Sequence, residues 1–321
     1  MRYVICACLG IVIGLCGALP SARAASLVPL PPDHDADMRW FGADGDRLEG
    51  LAAFQRMPKA DLTLWLAGNQ FFAMERVIGD FQIAHRGISV GLITLPPGLL
   101  LEAIKAGGWT YDGHSLTVRP DVYGTVSLDH LRASGLVDAY VLYMHNALQL
   151  MVAPGNPKQI HDLRDLARPD LRLTLPNPVN EGIMIAYAKP ILQQLNLWDG
   201  LSGGKECAGC DPTSRVHFSI VHHREIPDRI VAGQTDAGIV WQTETEAALA
   251  RGAQVAGVAL PREQSAIDSV SYFAGTLRGS PHPDAARMYI DFIASPAGQA
   301  AYGEFGFLPA TETERRAAPL N

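Results

Sequence analysis

Apolar residues along this chain fall into short unbroken runs, separated by stretches where they recur every three or four positions. The run DLTLWLA (61–67), stopped by Gly68-Asn69, predicts a buried strand. From Gln70 to His85, Phe71, Met74, Ile78 and Phe81 keep helical spacing, with Gly87 as the stop. GISVGLITL (87–95) predicts a strand, Pro96-Pro97-Gly98 a turn, LLLEAIKAGG a helix and DVYGTV (121–126) a strand. The pattern restarts in the second half. NALQLMVAPG (146–155), LRLTLPNP (171–178), RVHFSIV (215–221) and DAGIVW (236–241) predict strands. Helices are expected at 160–167, at 181–195 and at 226–232, the last with Pro227 in its first turn. Two helices close the chain between Pro283 and Gly306, the second beginning at Ser295-Pro296. Such alternation builds mostly parallel sheets flanked by helices, so an α/β fold in two halves is expected.

Ligands of open α/β sheets sit beyond the carboxyl ends of the strands, where helix N-termini point. Gly68-Asn69-Gln70, Pro97-Gly98 and Asn180-Glu181-Gly182 occupy such turns. A fourth loop, VHHRE (221–225), puts His222, His223, Arg224 and Glu225 between a strand and a helix. Adjacent residues on an extended segment point opposite ways, so one of the two imidazoles is expected to face a ligand. Asn69 has two readings, helix cap or ligand contact, and an N-cap side chain serves both. Glu181 reads either as a ligand group or as a first-turn acid favoured by the helix dipole. Trp241, at a strand end, reads as a cleft wall or as core. Arg224 and Glu225 also read as a surface pair of little energetic weight.

The N-terminus changes the picture of where this happens. Arg2, the apolar run Val4–Leu19 and Ala22-Arg23-Ala24 form a secretory signal peptide over residues 1–24. The run is shorter than the roughly 20 residues a spanning helix needs. Leu15 precedes Cys16 where a lipid-anchor site wants a small residue. With Arg2 and Arg23 gone, the mature chain has 24 Lys and Arg against 33 Asp and Glu, a net charge of −9. That acidity, without a basic run, argues against nucleic acid as a partner. Of five cysteines only Cys207 and Cys210 stay, and an even pair in an exported chain reads first as a disulfide. A redox CxxC, or a metal site with His217 or His222, is the other reading. Asp33-His34-Asp35 looks metal-like but lies in a proline-rich arm. The chain has no G-x-S-x-G, H-E-x-x-H or Walker loop, so no enzyme activity is expected.

Four stretches carry a resemblance to a known family: LTLWLAGNQFFAMERVIGDF (62–81), HNALQLMVAPGNPKQIHDLRDLA (145–167), IVAGQTDAGIVWQTE (230–244) and HPDAARMYIDFIASPAGQAAYGEFGFLP (282–309). Through them the chain resembles the type II periplasmic solute-binding proteins of ABC importers, the molybdate-binding branch most nearly. The resemblance implies two lobes, 25–145 with 242–321 and 146–241, crossing over near Asn146 and clamping a ligand between them. It implies a monomer without cofactor in the periplasm, with an ABC permease and ATPase as partners. Carried over, the ligand positions fall on Asn69, Pro97 or Gly98, Glu181, His223 and Trp241, with His222 beside them. Asn69 stands where the family usually has serine, and Trp241 where it has tyrosine. The first expected ligand is a molybdate-like oxyanion. The alternatives are a metal ion or metal complex held by Glu181 and His223, and a sensor built on the same clamp. The rival from another class is a redox or metal-handling enzyme using Cys207 and Cys210.

Overall fold

The computed structural model describes residues 27–30, 35–220, 225–316 and 318–319. The expected signal peptide, Asp33, His34, His222, His223 and Arg224 lie outside the described residues. In chain order the strands of the two large sheets are β1 (Met38–Phe41), β2 (Arg47–Glu49), β3 (Leu62–Ala67), β4 (Val90–Leu95), β5 (Val122–Thr125), β6 (Ala139–His145), β7 (Leu148–Val152), β8 (Leu173–Leu175), β9 (Cys210–Thr213), β10 (Val216–Phe218), β11 (Ala237–Trp241), β12 (Ala256–Ala259), β13 (Ser271–Thr276) and β14 (Leu308–Pro309).

One sheet runs in the order β14-β6-β13-β5-β3-β4-β1-β2, with Ala318–Pro319 also pairing to β6. At its centre β3 pairs in parallel with β4 and β5, and all six residues of both β3 and β4 are buried. Unbroken apolar runs are what a strand covered on both faces requires. The helix α1 (Met74–Ala84) covers one face through Met74, Val77, Ile78 and Phe81. The helix α2 (Pro97–Ala106) covers the other with Leu100, Leu101 and Ile104, alongside Trp65 and Trp109. Gly107 ends α2 at φ 86°, a left-handed cap that costs glycine least.

The second sheet runs β9-β10-β8-β11-β7-β12, with β8 parallel to β10 and β11, and β7 antiparallel to β11 and β12. The chain passes between the sheets at Asn146-Ala147 and again between β12 and β13. These crossings lie side by side: Asn146 N–H donates to Val270 O (3.1 Å) and Leu148 N–H to Ser265 O (2.7 Å). The first sheet is therefore re-entered at Ser271, not at residue 242 as expected. After Trp241 the chain forms α5 (Gln242–Ala250), which packs on β7, β11 and β12, and returns as the antiparallel edge strand β12.

Other local expectations shift for identifiable reasons. The helix expected from Gln70 opens as a 3-10 turn, Gly68–Ala73, before α1. Gly68 lies so close to β4 that a Cβ there would sit 3.3 Å from Thr94 O, which lets the turn hug the sheet. Pro97 and Gly98 are not a turn but the start of α2, where proline's missing N–H is harmless. The helix expected over 181–195 is π-helical at Ile183–Ala188 and α-helical only as α3 (Lys189–Gln194). Pro190 sits inside that run. Its ring and absent N–H break the regular ladder, which opens the preceding turn. The 160–167 segment reduces to a 3-10 turn, Leu163–Ala167. The helix expected at 226–232 is α4 (Ile226–Val231). The closing pair is α6 (Pro283–Ala294) and α7 (Pro296–Gly303), with the Ser295 side chain capping α7 through Gly298 N–H (3.2 Å).

Candidate functional site

A cleft of about 470 Å³ lies between the two sheets. Its first wall is the carboxyl end of β3 and β4 with the turns that follow, including Ala67, Asn69 and Thr94. Its second wall comes from the start of the 183–194 helical run and the end of β11, including Glu181, Tyr187 and Trp241. Strand ends open here because the helices that follow each strand must turn back over the sheet faces.

Asn69 and Glu181, which stand in turns expected at a ligand site, and Trp241, placed there by the family resemblance, all line this cleft. Asn69 is not a helix cap. Its Nδ2 donates to the buried Tyr272 hydroxyl, and its Oδ1 is buried with no hydrogen-bond partner among the described residues. Gly98 is not among the lining residues, whereas its neighbour Pro97 is. The Tyr123 hydroxyl donates to Pro97 O (3.0 Å), which fixes the start of α2 at the cleft edge.

Glu181 is buried. Its Oε1 accepts from the backbone N–H and the Nδ2 of Asn177, both at 3.0 Å, and from the Ser219 hydroxyl. These donors tie the 177–182 turn to the end of β10, so the carboxylate is held at a set place on the wall. Trp241 is also buried. Its backbone N–H donates to Glu244 Oε2 (3.1 Å), and its ring meets Tyr187 edge-to-face, with centroids 5.4 Å apart and planes at 71°. Burial pushes the Tyr187 hydroxyl pKa up.

Tyr187, Phe71, Asp37, Glu244 and Arg251 line the cleft without having been expected there. Tyr187 escaped a 3.6-residue reading because its helix is π-wound where it faces the cleft. Phe71 reads as the first apolar position of a helix. Its carbonyl instead accepts from the Arg39 guanidinium, which reaches it from β1. Burial lowers the Arg39 pKa, opposed by the nearby Glu49, Glu75 and Asp37 charges.

Cys207 and Cys210 form a disulfide at the edge strand β9. Their sulfurs are therefore not thiolate ligands. His217, the metal partner in the alternative reading, pairs with Asp211 Oδ1 through Nδ1 (2.7 Å). Glu225 Oε1 lies 3.6 Å from His217 Nε2 and accepts from Ile220 N–H (3.2 Å). Among the described residues no three His, Cys, Asp or Glu side chains come together as a metal site. Among the described residues no helix is long and apolar enough to cross a membrane.

Residues 62–308 match the family described as bacterial extracellular solute-binding protein. The chain is 21% identical over 188 residues to the molybdate-binding protein ModA of Mycobacterium tuberculosis, a stretch covering 57% of this chain and 62% of that one. Its fold is similar to the substrate-binding domain of a putative molybdenum ABC transporter from Clostridium difficile, with a TM-score of 0.60 at 18% identity, covering 78% of this chain and 99% of that one. It is also similar to the sulfate-binding protein SubI of Mycobacterium tuberculosis, with a TM-score of 0.55 at 20% identity, covering 79% and 88%. The family match takes in most of the chain and both walls of the cleft, so this protein belongs to the bacterial extracellular solute-binding proteins, with the type II two-lobed fold.

Proposed function

We propose that this chain is the solute-capturing subunit of an ABC importer. It works in the periplasm after loss of residues 1–24, closes its lobes on a small ligand, and presents the closed form to a membrane permease and its ATPase. The observation that carries this reading is one cleft lined from both sheets, beside a hinge of two hydrogen-bonded crossings. Closure of such lobes excludes water and strengthens every polar contact inside.

The ligand is argued from the walls. A molybdate-like oxyanion has the support of the ModA and SubI likenesses and of two helical starts, at Gly68 and Pro97, that end on the cleft. Against it, Asp37, Glu181 and Glu244 line the described walls with Arg251 as the lining's described guanidinium. A tetrahedral oxyanion also displaces only about two or three waters' worth of volume, on the order of 60–90 Å³. The cleft is several times larger, and aromatic rings stand where an oxyanion site wants donors. Closure shrinks this space without changing what lines it. The lining therefore supports a small organic solute better than a bare dianion. In this reading Asn69, Glu181 and Trp241 contact the solute. His222 and His223 follow soon after Ser219 in sequence, the residue whose hydroxyl donates to Glu181, and Gly98 acts through the start of α2.

The test is a thermal-shift screen of the mature protein, stripped of carried-over ligand by unfolding and refolding. The panel holds molybdate, tungstate, sulfate and phosphate, then zinc and ferric ions, then small organic solutes. A ligand specific to the folded state adds about 2.7 kcal/mol of stability at 100 times its Kd. A shift with molybdate that disappears in His223→Ala returns the oxyanion reading. A shift with a metal alone, lost in Glu181→Gln, makes the metal reading the right one. A gene for a permease beside this one favours import, and one for a histidine kinase favours sensing.

A further inference from the structure

We infer that the Cys207–Cys210 disulfide is a redox control on the cleft. While closed, it holds Glu181 in the wall through Ser219; a dithiol reductant that opens it loosens that wall and weakens solute capture. This rests on the solute-binding reading above and names a regulation of that same site. The bond encloses only Ala208 and Gly209, at β9, the outer strand of the second sheet. The ladder holding β9 to β10 is thin: Cys210 pairs with Phe218 and Thr213 with Val216, and the register slips between them. The shape of the 207–210 loop therefore depends on the covalent bond more than on the ladder. So short a loop adds little to global stability, and its effect is local.

That local effect reaches the cleft in two steps. Gly209 N–H donates to Ser219 O (2.9 Å), and Gly209 packs so closely on the next residue that a Cβ there would sit 2.9 Å from Ile220 Cγ1. Ser219 is fully buried, and its hydroxyl donates to Glu181 Oε1 and accepts from Asn177 N–H (3.1 Å). Asn177 Nδ2 joins the two sides, donating to Glu181 Oε1 (3.0 Å) and to Ile220 O (3.3 Å). Residues 219 and 220 are thus gripped between the disulfide loop and the turn that carries Glu181, which lines the cleft. In such a buried network, displacing one member leaves the next unsatisfied in low dielectric. Both cysteines are only half-buried and the two residues between them are exposed, so a thiolate has access to the sulfurs. Exposed disulfides are the labile ones. In the step proposed, one thiolate of a dithiol attacks a sulfur of the pair and the Cys207–Cys210 bond breaks. The dithiol's second sulfur then resolves the mixed disulfide. The chain gains two electrons and two protons as two thiols, and the dithiol leaves as a disulfide.

The experiment compares the mature protein with its disulfide closed and after anaerobic reduction with excess dithiothreitol, the dithiol probe. Hydrogen exchange needs no solute. Amides in 177–182 and 216–220 are expected to exchange about tenfold faster or more on reduction, with those of β3 and β4 unchanged. Lobe closure is then followed by small-angle scattering as an air-oxidised small-molecule extract from bacterial cells is added. A wall that is competent only part of the time lowers apparent affinity by that fraction, so half-closure of the reduced form is expected to need about threefold more extract or greater. Cys207→Ser/Cys210→Ser is expected to match the reduced protein and to ignore dithiothreitol. Ser219→Ala, which cuts the route, is expected to bring the redox difference in closure below about twofold. Equal exchange of 177–182 in the two forms overturns the inference, as does an undiminished redox difference in Ser219→Ala. Equal closure in the two forms overturns it while leaving the clamp standing. No closure of the oxidised protein sinks the solute-binding reading and the inference with it.

Discussion

That Asn69 and Glu181 line the cleft was legible because each stands at a turn beyond a strand end, and such turns are few, whereas Trp241 was placed there by the family resemblance. What each does there was not legible. The Asn69–Tyr272 bond joins residues 203 positions apart, and no local pattern encodes such a partner. The same holds for a site far from the cleft. Asp61 Oδ2 accepts from both the hydroxyl (2.6 Å) and the N–H (2.9 Å) of Ser89, which ties the starts of β3 and β4 together. The Ser89 hydroxyl bond holds the Asp61 pKa below the usual carboxylate value, against an opposing effect of burial. A carboxylate with a lowered folded pKa contributes its full stability above its unfolded pKa, about 4. That contribution is lost as pH falls through the lower folded value. Because the group is exposed, solvent screening keeps the gain to about 1 kcal/mol or less. Urea unfolding between pH 2 and 7 should show a gentler acid limb in Asp61→Asn than in the parent. Identical limbs would mean that the Ser89 bonds carry no pH-dependent stability.

At the scale of elements, unbroken apolar runs gave the central strands because burial on both faces demands them. The strands β6 and β13 were missed although both lie inside the large sheet. In β6 buried positions mix with half-exposed ones, and β13 holds Ser271 and Gly275 among its buried residues. The SPAGQ motif (295–299) was legible as a family ending, and its physical work is local. Gln299 Nε2 donates to Tyr143 O on β6 and to Ile293 O (2.8 Å), while its Oε1 accepts from Ala310 N–H (3.0 Å). Gly298 lets α7 close on α6: a Cβ there would sit 2.2 Å from Phe292 O and 2.8 Å from Ile293 Cα. Those contacts are backbone and cannot rotate away. Gly298→Ala should therefore cost about 1–3 kcal/mol in urea unfolding, as overpacking does. A neutral result would show that the α6–α7 junction opens freely. The disulfide makes the opposite case. Cys207 and Cys210 are three positions apart, so the bond closes a very short loop. Loop-closure entropy then gives about 2 kcal/mol at most. Cys207→Ser/Cys210→Ser should fold, lose that amount, and expose the amides of β9 to hydrogen exchange before those of β8. Loss of all folded structure would show the bond to be essential to the second sheet.

For the whole molecule the question is whether the lobes are coupled or merely joined. The hydrophobic pattern pointed to two α/β halves, and the family resemblance to a crossing near Asn146. It could not show the second crossing, because the turn into α5 and back to β12 looks like a departure from the lobe rather than a detour within it. The described structure offers a physical route for coupling. Asn146 Oδ1 accepts from Ala147 N–H (2.9 Å), and its Nδ2 donates to Thr243 Oγ1 at 3.0 Å and to the Tyr272 hydroxyl at 3.4 Å. Tyr272 in turn accepts from Asn69 at the cleft wall. A chain of polar contacts thus runs from the cleft wall of the first lobe, through the hinge, to the first turn of α5 on the second. All of Asn146, Thr243 and Tyr272 are fully buried, so each bond lies in low dielectric, where loss of one partner leaves the next unsatisfied. Residues that act as one network do not contribute additively. Tyr272→Phe and Asn146→Ala should each cost about 1–3 kcal/mol in urea unfolding. The double variant should cost less than the sum by about 0.5 kcal/mol or more. In titrations with a bound solute, the same pair should also fall short of additivity in binding free energy, because Asn69 loses its hold on the hinge in either variant. Strict additivity in both measurements would mean that the lobes share a hinge but no network, and that closure is driven by the ligand alone.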